Sequence, residues 1–187
     1  MNDTNEKQQL YAEQVKQLYR QSPVALLAAP IVSLIMIIIL WGVITHWMLV
    51  AWYLAVLLVT IPKYLLVRKF RSSSQSPDSA DRWGNRLILG AALSGTVWGS
   101  AGIFLFPAHS TIHQFCIVFM IGGMVAGASG TYSVTMRVFS AYSLPALLPV
   151  TIRFFLFVDE IHIGIGGTIL LFELLMFVNA KRVNAAI

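Results

Sequence analysis

Six apolar runs, each close to the roughly 20 helical residues that cross a hydrocarbon core, occupy most of this chain of 187 residues. They fall at Val24 to Ile44, Met48 to Val67, Leu87 to Phe106, Gln114 to Ser133, Val138 to Val158 and Ile163 to Ala180. A water-soluble domain of this size cannot hide a composition that is 57% hydrophobic and 11% charged, because small domains keep much of their surface in water. A membrane barrel needs shorter segments of alternating polarity, and none occurs. The expected fold is therefore all-α, a polytopic bundle of six transmembrane helices in a lipid bilayer.

Residues 1–22 are polar and carry Asp3, Glu6 and Glu13, so they do not read as a cleavable leader. From Asn5 to Arg20 they place Leu10, Tyr11, Val15, Leu18 and Tyr19 on one helical face, which predicts a short amphipathic helix lying on the membrane surface. Ser22-Pro23 then restarts the chain as N-cap and first helical residue. The expected division is an N-terminal cytoplasmic segment over 1–22, a transmembrane domain over 23–180 and the start of a cytoplasmic signalling helix over 181–187.

Orientation follows from Lys and Arg. Lys7, Lys16 and Arg20 precede the first run, Arg68, Lys69, Arg71, Arg82 and Arg86 lie between the second and third, Arg137 between the fourth and fifth, and Lys181 and Arg182 after the sixth. Lys63, in the last turns of the second run, is expected to snorkel to the same side. The alternate gaps, THW, PAHSTIH and DEIH, hold no Lys or Arg, so both termini are expected in the cytoplasm and these three gaps outside. The net charge of +5 thus reads as membrane topology and not as a nucleic-acid surface.

All four histidines, His46, His109, His113 and His162, fall in the outer gaps or at their edges, with Asp159 and Glu160 beside the last. Their first reading is interfacial, hydrogen-bonded to water and headgroups; the alternative gathers them into a sensing or transition-metal site over the bundle mouth. No cofactor is otherwise expected. Thr111-x-x-Gln114 has the form of a capping box, with His113 in the first turn of the fourth helix. Two ionisable residues lie inside spans: counted inward from DEIH at about 1.5 Å per residue, Arg153 is roughly 9 Å and Glu173 roughly 18 Å deep, and at such depth they are expected either to pair or to leave Arg153 snorkelling outward with Glu173 protonated. Gly95-x-x-x-Gly99 in the third span and Gly123-x-x-x-Gly127 in the fourth are small-residue seams, expected to pack that hairpin internally, with a dimer contact as the alternative. Pro145 and Pro149 should free carbonyls and kink the fifth span, a candidate hinge. The single cysteine, Cys116, excludes an internal disulfide.

No Walker loop, GxSxG elbow or HExxH motif is present, so no catalysis is expected of these residues. The strings LYRQSPVALL, WGVITHWMLVAWYLAVLL, DRWGNRLILGAALSGTVWGSAGIFLFP, HQFCIVFMIGGMVAGASGTYS and LPALLPV resemble the N-terminal membrane region of bacterial sensor histidine kinases and GGDEF-type diguanylate cyclases. That resemblance implies a multi-pass protein of the bacterial inner membrane, a homodimer, whose last helix passes a stimulus to a cytoplasmic kinase or cyclase domain. No phosphoacceptor region or GGDEF motif precedes the closing RVNAAI, so the expectation is an input module alone or a fragment of a longer protein. The alternative is a small transporter or channel with a midplane site at Arg153 and Glu173.

Overall fold

The computed structural model describes residues 2–72 and 80–185, with side chains at 9–21, 26–72 and 80–185. They form six α-helices: α1 (Asn2–Leu40), α2 (His46–Ser72), α3 (Ala80–Phe104), α4 (Thr111–Tyr132), α5 (Met136–Phe155) and α6 (Glu160–Ala185). No strand occurs among the described residues. Helices α2 to α6 are each long and apolar enough to cross a membrane, and α1 joins them if its two parts count as one span. Large apolar side chains also point outward, Leu58 at 74%, Phe119 at 79% and Val158 at 92% exposure, as suits a bundle whose solvent is hydrocarbon. The basic clusters lie at one end of the helices and the histidine-bearing turns at the other.

The expected N-terminal helix and first span form one element. Its parts Gln9–Gln21 and Leu26–Leu40 meet at 46°, and the break brackets Ser22-Pro23, whose capping lies outside the described side chains. The apolar face of the first part does not lie free on a membrane surface. Val15, Leu18 and Tyr19 are buried, and the Tyr19 ring stacks on Phe70 of α2 with centroids 3.9 Å apart and meets Trp83 of α3 edge-on at 5.8 Å. The Tyr19 hydroxyl donates to the Trp83 carbonyl at 3.2 Å. Gly84 leaves space that the Tyr11 hydroxyl fills. Aromatic contacts thus seat this segment on the basic ends of α2 and α3.

The tightest helix pair is α3 against α5. A Cβ on Gly95 would strike the Tyr142 carbonyl, and one on Gly99 the Pro145 carbonyl. Each glycine also receives a proline: Pro145 Cγ lies 2.9 Å from a Cβ built on Gly95, and Pro149 Cγ 3.0 Å from one on Gly99. Pro149 has no N–H, so it leaves the Pro145 carbonyl without its usual helical donor, and that oxygen lies against the bare Cα of Gly99, a weak C–H···O contact. The two prolines are therefore knobs in glycine holes, on an α5 that runs as one helix from Met136 to Phe155. The internal packing expected of the α3 seam is real, but its partner is α5 and not α4.

Helix α4 divides its faces differently. Ile117, Ile121, Val125, Ala128 and Tyr132 form a buried stripe at helical spacing. A Cβ on Gly123, Gly127 or Gly130 would meet nothing within 4 Å, so the expected packing of that seam onto a neighbouring helix is not made.

Candidate functional site

At the histidine end the structure builds a short polar chain around His162. Its Nδ1 contacts both oxygens of Asp159, Oδ1 at 2.7 Å and Oδ2 at 2.6 Å, and its Nε2 meets Gln114 Oε1 at 2.9 Å. The Gln114 amide nitrogen donates to the Pro107 carbonyl at 3.0 Å. A carbonyl only accepts, so that bond fixes the amide orientation and turns Oε1 toward His162; Nε2 must then carry a hydrogen. Hydrogen bonds from the His162 side chain and backbone hold the Asp159 carboxyl below its ordinary range. The Phe157 ring stacks on His162 at 4.3 Å. Gln114 is fully buried and so forms no capping box with Thr111: the N-cap is Ser110, whose side chain makes no bond to the helix backbone but whose Oγ lies 2.6 Å from His113 Nδ1.

The other histidines stay apart from this chain. His46 is exposed, stacks on Trp41 at 4.1 Å and lies 3.1 Å from the Trp41 carbonyl through Nε2. His113 sits in the first turn of α4, as expected; His109 and Glu160 are exposed. Among the described residues no three or more His, Cys, Asp or Glu are placed to hold a metal ion. His46 and His113 are held within their own turns and His162 turns to Asp159 and Gln114, so the rings do not converge on one point.

Arg153 and Glu173 are likewise not brought together. The Arg153 guanidinium lies over the Phe106 ring, 5.4 Å from its centroid, at the histidine end of α5. Glu173 is 5% exposed with neither carboxyl oxygen hydrogen-bonded. Counted from the facing ends of α5 and α6 at about 1.5 Å per residue, the two residues are offset by roughly 16 Å, more than the side chains span.

A partly open space lies toward the basic end, among α1, α2, α3 and α4 with Tyr142 of α5 also in its lining. It is a cavity of about 460 Å³, inside the roughly 300 to 1,000 Å³ usual for small-molecule sites. Its walls are apolar, with Val32, Val59, Trp98, Met120 and Met124 among them, and the bare faces of Gly123 and Gly127 complete one side. Into it reaches one cation. Lys63 Nζ donates to Ser94 Oγ at 2.9 Å and to the Tyr132 hydroxyl at 3.2 Å, and no ion pair to Lys63 occurs among the described residues. The expected snorkelling to the basic end is not seen, for a geometric reason. Side chains lean toward the N-terminus of their helix, and α2 begins at the histidine end, so the Lys63 stem runs inward past Gly90, whose missing Cβ leaves it room. An uncompensated ammonium in hydrocarbon costs about 2.5 to 3.5 kcal/mol at a span centre. Tyr142 is also among the lining residues, its hydroxyl buried and without a hydrogen-bond partner among the described residues.

Tyr132 closes α4, and two residues on, the Val134 carbonyl accepts a hydrogen bond from Asn184 Nδ2 in the last turn of α6 at 2.6 Å. One wall of the cavity is thereby tied to the end of the last helix. Sequence reasoning passed over this assembly, although a lysine on the inward-leaning side of a span was its available signal. Compared with protein-family models, with curated proteins and with solved structures, the chain matches none of them.

Proposed function

We propose that this chain is a membrane-embedded sensory input module, in which a molecule held among the helices alters the exit of α6. The observation that carries the reading is the Asn184 to Val134 hydrogen bond, which joins the last turn of α6 to the turn directly after cavity residue Tyr132. A two-state bundle needs such an element, one whose position both the ligand and the output can bias. In this reading α1 supplies the sixth span, both termini face the cytoplasm of a bacterial inner membrane, and a homodimer presents paired α6 helices to a kinase or diguanylate cyclase domain. The alternative, a small transporter or channel with a midplane site at Arg153 and Glu173, draws no support from a contact between them, since they do not pair across α5 and α6.

The test is a fusion of the chain to a diguanylate cyclase domain through α6. Asn184→Ala, which removes the tie and little else, should change cyclic dinucleotide output at least threefold at equal protein level. Output identical to the parent fusion would sink the reading.

A further inference from the structure

The cavity has the makings of a receptor for one kind of molecule. Its walls are apolar, its single cation has no counter-charge among the described residues, and another lining residue, Tyr142, has a buried hydroxyl with no hydrogen-bond partner among the described residues. Lys63 has three N–H donors, and two protein acceptors, Ser94 and Tyr132, engage two of them. Tyr132, which accepts from Lys63, keeps its own hydroxyl proton to give. Two donors without protein acceptors, on Lys63 and Tyr132, therefore sit at one end of an apolar chamber. A neutral apolar occupant would leave both unmet. A free cation would be repelled by the ammonium. From this we infer that the cavity binds an amphipathic anion, an apolar chain carrying a carboxylate or phosphate head, with the head on Lys63 and the chain along the Gly123 and Gly127 face of α4.

This inference deepens the sensory reading by naming the occupant, and it rests on features of the cavity itself. Gly123 and Gly127 have open space where a Cβ would stand, which leaves a smooth trough for a methylene chain, and Met120 and Met124 are unbranched side chains able to repack around it. Phe119, largely exposed and also part of the lining, marks an edge of the cavity that faces the bilayer, so a molecule dissolved in lipid needs no aqueous route. Lys63 is held in place before any ligand arrives, since its stem rests against Gly90 and its ammonium is oriented by two hydroxyls. Such pre-ordering lowers the entropic cost of binding.

The experiment uses the full chain in nanodiscs of zwitterionic phosphatidylcholine, titrated with cis-parinaric acid, with energy transfer from Trp98 and the other tryptophans as readout. Saturable binding is expected. Palmitate and hexadecyl phosphate should displace the probe at concentrations at least tenfold below those needed with hexadecanol. Lys63→Met should weaken binding at least tenfold and Lys63→Arg by less than that. Because Lys63→Met can also disturb folding, Gly127→Leu is the second variant: it fills the trough from a position with no neighbour and should likewise cost tenfold or more while the thermal melt is kept. Equal displacement by hexadecanol, or parent-like binding in folded Gly127→Leu, overturns the proposal. Mass spectrometry of lipid retained by protein purified from membranes separates the sources: a free fatty acid identifies the soluble acid as the natural occupant, an anionic phospholipid identifies a lipid headgroup, and retention of neutral lipid alone counts against the anionic site. Binding is read without any effector attached, so its failure leaves the Asn184 link to the fusion assay, and a silent fusion leaves the binding result standing.

Discussion

Two glycine seams with the same spacing, one on α3 and one on α4, do opposite things. Gly95 and Gly99 let the backbone of α5 press against α3 so closely that a methyl group on either would meet a carbonyl oxygen. Gly123 and Gly127 touch no other helix and instead leave a wall of the cavity bare. The first seam is where van der Waals packing holds the bundle together, as small residues do in membranes. The second makes no helix contact; α4 packs through its opposite, buried stripe and is tethered at its ends by Gln114 to His162 at one and by the turn after Tyr132 to Asn184 at the other. Rigidity and ligand space are thus divided between adjacent helices that look alike as strings.

The largest effect expected from this contrast comes from Gly99→Ala. The obstructing atom is backbone, which cannot swing aside, so the cost should reach about 3 kcal/mol, the upper part of the range for overpacking, read as lowered thermal stability in detergent. Gly127→Ala in the same assay should be neutral or stabilising by up to about 1 kcal/mol, because alanine is the better helix former and meets nothing. Similar losses at both positions would break the comparison.

The tether at the histidine end is expected to matter less. His162→Ala leaves buried Gln114 Oε1 without a donor, a loss of about 1 to 3 kcal/mol. Acid should act on the same tether more weakly. The Asp159 carboxyl is held below its ordinary range in the folded chain, so its contribution is complete above the usual carboxylate pKa of about 4 and is lost as pH falls through the lowered value. Parent protein should therefore lose stability more steeply below about pH 4 than Asp159→Asn; coincident acid profiles would remove Asp159 from the tether.

Helix positions and the membrane character were legible because apolar length is a local signal: the last five runs fall on α2 to α6 and the first on the second part of α1, Leu26–Leu40. What the seams do was not, since spacing says that two backbones can approach and not which helix lies opposite. Gln114 misled for a related reason. Its position three residues after Thr111 fits a capping box, but a glutamine can equally turn inward, and His162, 48 residues away, decides. Arg153 and Glu173 were readable as charges within spans, yet their separation is set by where α5 and α6 end, which the apolar runs locate only loosely. Lys63 shows the same limit, its direction being set by the polarity of α2 and by the space over Gly90.

The claim that the α4 seam faces a ligand and not a helix is tested most directly by chemistry at that seam. In a Cys116→Ser background, Gly127→Cys should react with a membrane-permeant maleimide, palmitate should slow that reaction at least fivefold, and hexadecanol should not. A cysteine at exposed Leu170 on α6 should be indifferent to both. An unchanged rate at position 127 with palmitate, or equal slowing at 170, would contradict the account.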